Sequence, residues 1–392
     1  MGVEDGHDLI IPTKVLGCGG AEVLRCARMT ARLRSLDAFR GLTVAAMVIV
    51  NNPGDWATVY WPLLHAEWNG WTPTDLIFPF FLFIVGVSLA LSARAARVPT
   101  ILRRGAIIWG LGLLLAGFPF FRLATIRIPG VLARIAWCYV AAALLTRGVD
   151  SKGHRGRVLA GVVAVLLVGY WILLTLVPFP GGISGDLTPA GNIGAWFDRA
   201  LFGRHVWRGG PYDPEGLLST IPAIGTTLLG VMAGWLLREV SSPRAVVRAL
   251  LGWGLIGVLA GLAVSVWLPI NKSLWTSSYV LFTAGLASAL LAVCYWLLDA
   301  TPSQRWHALS EPLVALGRNA ILLFVLSGLI AKTLIYLKWP DPEMPLGRWL
   351  YLTAFAPFAP PHIASLLFAL ANLLLLYGLL AYLHRRHMYL TV

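Results

Sequence analysis

The chain has 392 residues, 58% of them hydrophobic and only 12% charged, with a formal net charge of +13. That is more apolar surface than a soluble core of this length buries, which excludes a soluble enzyme or a nucleic-acid-binding domain and marks an all-α, polytopic membrane protein. Abundant Gly and Pro are no sign of disorder in this setting, because both are commoner in membrane helices than in soluble ones.

In chain order, residues 1–33 are expected to be a disordered cytoplasmic tail, and 34–392 to be one transmembrane domain. The tail has no sustained apolar core followed by a small-residue cleavage site, so no secretory signal is assigned. Apolar runs long enough to cross a hydrocarbon core of about 30 Å occur at 36–52, 75–93, 101–120, 129–146, 157–178, 216–238, 245–269, 274–298, 312–337 and 361–383, which predicts about ten spans. The stretch from Trp349 to Phe358 is too short to span and is expected at an interface. Cys18 and Cys26 fall in the tail while Cys138 and Cys294 fall in apolar runs, so no structural disulfide is expected.

Basic residues orient the spans. The tail and the even-numbered loops hold 20 Lys and Arg, the odd-numbered loops hold 8, and Lys and Arg are retained on the cytoplasmic side. Both termini are therefore expected inside. The connector between the first two spans and the long connection from Phe179 to Glu215 are expected outside, on the periplasmic or external side.

The first connector carries the densest chemistry. It runs from Asn51 to Asp75 and contains four Trp, one His and three carboxylates, with no Lys or Arg. His65 is the candidate base or nucleophile, because a neutral imidazole can accept a proton from an amine or attack a thioester. Asn51 and Asp75 bracket it, the amide suited to hold an acyl oxygen and the carboxylate to orient the ring. Asp75 also ends Thr72-Pro-Thr-Asp75, a capping box with Pro at the first helical position.

Ionisable groups inside spans are costly and functional by default, which singles out Arg134, Lys332 and the pair Arg318-Asn319. Snorkelling towards headgroups is the competing account of Lys332 and Arg318. No metal ligand set is assigned.

Several segments, in order, resemble the heparan-α-glucosaminide N-acetyltransferase family. They are Arg34-Ser-Leu-Asp-Ala-Phe-Arg-Gly41, Val50-Asn51, His65-Ala-Glu-Trp-Asn-Gly70, Asp75-Leu-Ile-Phe-Pro79, Phe83-Ile-Val-Gly86, Gly130-Val-Leu-Ala-Arg-Ile-Ala-Trp-Cys-Tyr139, Tyr212-Asp-Pro-Glu-Gly-Leu-Leu218, Asn271-Lys-Ser-Leu-Trp275 and Leu316-Gly-Arg-Asn-Ala-Ile-Leu322. A weaker likeness, to acyltransferase-3-type enzymes, rests on Leu36-Asp37 and Arg40, with Asn51 standing where those enzymes place a His.

The resemblance implies a transmembrane acetyltransferase that moves an acetyl group from cytoplasmic acetyl-CoA, a co-substrate, to the amine of a glucosamine-type sugar or glycan across the membrane. Its active histidine falls on His65 and its neighbouring asparagine on Asn51. The donor site is expected to use Arg40, Arg103, Arg104, Arg134, Arg318 and Asn319, with Arg40 otherwise pairing with Asp37. The acceptor site is expected to use Trp68, Asn69, Asp213, Glu215, Lys272 and Trp275. The lysosomal member carries a large luminal region ahead of the segment matched here, so the resemblance implies acyl transfer more firmly than it implies the acceptor. Membrane lipids are expected partners and nucleic acid is not; oligomeric state is open, a homodimer included. The rival reading is a transporter or flippase for a glycan or lipid-linked sugar, since intramembrane charges and interrupted helices also mark such pathways.

The charge distribution generates a topology test. A cysteine introduced at Ala57 should react with an impermeant thiol reagent in intact cells, while one at Gly153 should not. The reverse labelling pattern overturns the expected orientation.

Overall fold

Apolar helices in a bilayer gain nothing by hiding from lipid, so close association depends on small residues that let backbones touch. The computed structural model, described for residues 32–92, 97–147, 149, 154–301 and 303–390, is organised on this basis. Its helices are α1 (Arg34–Asn51), α2 (Ile77–Leu91), α3 (Val98–Gly117), α4 (Val131–Arg147), α5 (Arg155–Leu176), α6 (Ile193–Phe202), α7 (Thr220–Glu239), α8 (Pro243–Val264), α9 (Ser277–Tyr295), α10 (Gln304–Arg318), α11 (Ala320–Tyr336), α12 (Leu346–Ala354) and α13 (Pro361–Arg385). Together they form the expected all-α membrane bundle. The chain divides into two units, 1–33 and Arg34–Val392; the expected tail lies almost wholly outside the described residues, as do Cys18 and Cys26. Cys138 and Cys294 are both free.

Among the described residues, seven helices are long and apolar enough to cross a membrane: α2 with its leading turn, α3, α5, α7, α8, α9 and α13. An eighth is reached if α10 and α11 count as one broken span, since they meet at an angle of 72°. Of the ten expected spans, the first and fourth correspond to α1 and α4, which at 18 and 17 residues fall outside this set. Charge explains the first, because Arg34, Asp37 and Arg40 occupy the opening turns of α1.

The ninth expected span, 312–337, is two helices. Asn319 leaves helical geometry at φ −118°, ψ 34°. Its side chain accepts a hydrogen bond from Leu390 N at 2.9 Å and donates to Met388 O at 3.3 Å, so the chain after α13 is tied to the break. Arg318 is drawn away in turn, donating to the Tyr389 hydroxyl at 2.8 Å and lying 3.6 Å from Asp37. The Trp349–Phe358 stretch, expected at an interface, begins within the nine-residue α12.

Lys332, an intramembrane charge, has a structural use. Its ammonium donates to Ala116 O and Phe118 O at 3.3 and 2.9 Å, satisfying carbonyls that the end of α3 leaves without partners.

Two glycine contacts clamp the bundle. A Cβ on Gly86 of α2 would lie 1.9 Å from Thr227 O of α7, and one on Gly230 of α7 would lie 2.0 Å from Phe83 O of α2. Gly41 of α1 and Gly317 of α10 likewise meet backbone, of α10 and α1 respectively, equally closely. The α2–α7 clamp bears on the site, because α2 follows directly from the connector that carries His65.

This packing generates a stability test. Gly86→Leu and Gly230→Leu should each lower the thermal unfolding midpoint of the purified protein, by the equivalent of about 1–3 kcal/mol or more for overpacking. Gly110→Leu, where an added side chain meets nothing within 4 Å, should not. Equal midpoints for all three would refute the close α2–α7 contact.

Candidate active site

The His65 loop is built around Asp75. Thr72 is the N-cap, Pro73 takes the first helical position, and a short turn over Pro73–Leu76 leads into α2. The Asp75 carboxylate is almost completely buried, and one of its oxygens accepts the Thr72 and Ala66 backbone N–H groups at 3.1 and 2.9 Å. The other oxygen lies 2.7 Å from His65 Nδ1 and 3.2 Å from Lys272 Nζ. Cap and orienter are thus the same carboxylate.

This contact fixes the imidazole. In the tautomer whose Nδ1–H donates to Asp75, the basic lone pair is on Nε2, the arrangement required of a general base or nucleophile. The His65 side chain is 53% exposed, so a reactant can reach it, while Asp75 at 2% is shielded from water. Lys272 Nζ stands 3.0 Å from His65 Nδ1. Burial pushes the Lys272 ammonium below the ordinary lysine range, against the pull of Asp75 and Glu215.

Lys272 reaches the histidine through a strained turn. Trp275 has φ +53°, a left-handed conformation that a bulky residue adopts only when its surroundings impose it. Those surroundings are visible: Trp275 N donates to Lys272 O, Asn271 Oδ1 accepts Leu274 N, and Asn271 Nδ2 donates to Trp68 O and Asn69 Oδ1 at 2.9 and 3.0 Å. Trp68 is fixed by its indole N–H to Leu187 O at 2.8 Å. Two segments of the chain some 200 positions apart are therefore locked together beside His65.

A cavity of about 190 Å³ opens onto these groups. Its apolar walls come from α1, α2, α4 and α11, including Val44, Met47, Phe81, Ile135 and Phe324, and its polar end carries Asn51, His65, Glu215 and Lys272. The side-chain amide of Asn51 has no hydrogen bond with any other described residue. Glu215 is paired with Arg127, which also binds Asp213 through Nε at 2.9 Å. Burial opposes the Arg127 charge, but Glu215 and Asp213 raise its pKa above the usual arginine value.

Of the expected site residues, the structure gathers His65, Asn51, Glu215 and Lys272 at one cavity, with Asp75 directly behind. Trp68 and Asn69 join the neighbouring loops. Asp213 is buried on Arg127 and Trp207 N, leaving no free edge for a sugar. Trp275, expected in the acceptor site, is instead fully buried, with the Phe78 and Tyr279 rings packed against it at near-right angles and the Arg134 guanidinium 4.8 Å from its ring centre. Arg134 is likewise fully buried, donating to Gly216 O at 3.1 Å and to the Ser219 hydroxyl, on the His65 side of the bundle.

The remaining expected donor residues lie at the other end. Arg40 spans three helices, donating to Asp37 at 3.1 Å, Ser88 at 2.7 Å and Gly317 O at 3.3 Å. Arg318 and Asn319 stand at the α10–α11 break. Arg103 and Arg104 follow the first turn of α3, where Arg103 is exposed and Arg104 lies 5.6 Å from the Tyr139 ring centre. The sequence reasoning missed Arg127 and Asn271. Arg127 shares the 118–130 connection with Arg122 and has no acid beside it there, and that unmatched basic charge, against Asp213-Pro-Glu215, was the available signal for the first.

Comparison with known proteins identifies the family. The family model for heparan-alpha-glucosaminide N-acetyltransferase, catalytic, matches residues 32–263, which include Asn51, His65, Asp75 and Glu215. The heparan-alpha-glucosaminide N-acetyltransferases of Homo sapiens and Mus musculus are each 30% identical to this chain, over 366 and 359 residues. Those alignments cover 77% and 75% of the chain, which spans about half, 53%, of the length of either relative. With more than half of its residues matched by that family model, including the connector that bears His65, the chain belongs to the heparan-α-glucosaminide N-acetyltransferase family.

Proposed function

We propose that this chain is an integral-membrane acetyltransferase that moves an acetyl group from acetyl-CoA, approaching from the Arg40 end, to the amine of a glucosamine-type sugar at the His65 end. On this reading the His65 end faces the periplasm or exterior, and the Arg40 end the cytoplasm. The observation that carries the proposal is the apolar cavity ending on His65. Between Thr43 and Asn51 it follows α1 for about 12 Å of helix rise, beginning one turn beyond Arg40.

An apolar channel suits the thioester arm of acetyl-CoA, while its phosphates call for cations. Exposed Arg103 is the most available of these, with Arg104, Arg40 and Arg318 near the same end. Arg134 is assigned a different role, supporting the 216–219 turn behind Glu215. At the far end the acetyl carbonyl meets His65, with the Asn51 amide placed to donate to the oxygen as charge develops there.

The transfer forms a bond between the sugar nitrogen and the acetyl carbon and breaks the thioester C–S bond. His65 Nε2 takes the proton released by the amine and returns it to the departing thiolate. In the two-step variant, Nε2 itself attacks first and the amine displaces it from the acetyl group. Asp75 supports either course, because both place positive charge on the imidazole.

Replacing His65 by Ala should lower acetyl transfer by roughly 10²–10⁴-fold, the range for losing a general base, chiefly in kcat. Acetyl-CoA binding should persist. Asp75→Asn should give a smaller loss of the same kind, since an amide keeps the cap but not the charge. Near-normal turnover in correctly inserted His65→Ala protein would sink the mechanism, and movement of sugar without release of CoA thiol would favour transport. Label from acetyl-CoA retained on His65 without acceptor would establish the two-step route.

A further inference from the structure

A second cavity, of about 340 Å³, lies beside the first at the His65 end, and Asn51 lines both. Its lining includes the turn that follows α1, from Asn52 to Trp56, and the end of α11 and the start of α12, with Arg348 and Tyr351. The turn is fixed before any ligand arrives. Asp55 N donates to the Ser365 hydroxyl at 3.1 Å, Gly54 N donates to Ser365 O at 3.2 Å, and Gly54 lies so close to Tyr351 that an added Cβ would be 2.4 Å from its ring.

The lining has a chemical signature. Asp55 and Arg348 carry opposite charges, Asn51 and Asn52 add amides, and Trp56, Tyr351 and Phe368 add aromatic surface. Hydrogen-bonding groups interleaved with aromatic surface suit a sugar. Exposed Arg348 has no hydrogen bond or ion pair with another described residue, and the Asn51 amide is equally uncommitted. Opposite charges lining one cavity fit a ligand that carries an ammonium group and an oxyanion.

We propose that this cavity is the acceptor subsite, taking an amino sugar that bears a neighbouring oxyanion, with the oxyanion on Arg348 and the amino end directed past Asp55 to Asn51. The assignment rests on the acetyl-transfer reading for its purpose, but not for its test. Asn51 is the junction: the acetyl group arrives along one cavity, the amine along the other. A phosphatidylethanolamine headgroup has the same pairing of ammonium and phosphate and is the competing source of this chemistry.

Binding can be read by calorimetry without acetyl-CoA, on the full chain in phosphatidylcholine nanodiscs. Glucosamine 6-phosphate should bind about tenfold more tightly than glucosamine, the worth of one partly exposed charge-assisted contact. Arg348→Ala should abolish that preference, and Leu352→Trp, which fills the cavity from an exposed position, should weaken both sugars; neither should alter acetyl-CoA affinity. A preference that is absent, or that survives Arg348→Ala, overturns the assignment, as do unchanged affinities in Leu352→Trp. Loss of sugar binding on adding phosphatidylethanolamine to the nanodiscs would reassign the cavity to lipid. A chain that binds the acidic sugar as expected yet never cleaves the thioester would refute acetyl transfer and leave the cavity's ligand in place.

Discussion

Everything at the His65 end depends on one buried carboxylate. An ionised group removed from water costs several kcal/mol unless its lone pairs are met, and Asp75 meets that demand with groups from two parts of the chain. Backbone N–H groups of Ala66 and Thr72 close the connector onto the start of α2, His65 is held from within the connector, and Lys272 arrives from the turn before α9. The Tyr279 hydroxyl, on α9 itself, donates to the Asp75 carbonyl. The imidazole is oriented by a group that helix α2 needs for its own start, so fold and site share a foundation.

A second set of charges stiffens the surroundings. Arg127 joins Asp213 and Glu215, and Asp198 of α6 accepts Leu217 N at 2.9 Å, so the turn leading into α7 is held from both sides. Arg134 then anchors the same turn through Gly216 O and Ser219 while lying against Trp275. These contacts explain how Trp275 is kept at a positive φ. The strained turn that presents Lys272 is packed between a guanidinium and two aromatic rings with nowhere to relax.

What the sequence revealed follows from the range of each interaction. His65 and Asp75 are ten positions apart, and the capping box between Thr72 and Asp75 is a local pattern, so that relation was legible. Lys272 was also singled out, but as a sugar ligand, because nothing in a linear chain shows that its ammonium lies 3.0 Å from His65. Trp275 was misread since an aromatic beside a polar motif looks the same whether it faces a sugar or a core. The helix break at Asn319 escaped the hydropathy pattern, which registers apolar length but not a side chain tied to the backbone of residues 388 and 390. Short α1 and α4 are expected as spans on their apolar runs, and helix length with the charges in the opening turns of α1 is what separates them from the seven longer apolar helices.

The shortness of α1 has a mechanical meaning in the proposed reaction. Arg40 and Asn51 lie on one helix, so the separation between a cation at the donor end and the amide at the reactive end is set by helix rise, about 16 Å. The hydrocarbon core is about 30 Å thick, so a donor bound near Arg40 has roughly half that thickness still to cross. The cavity supplies that half, and its walls are drawn from α2, α4 and α11 as well as α1. Arg40 bonds α2 and α10 while α1 itself ends at the His65 connector, so the length of the passage cannot change without disturbing the helix contacts that hold both ends. In the proposed reaction, a rigid helix between donor and acceptor positions would bring the acetyl carbon to the imidazole at a fixed depth.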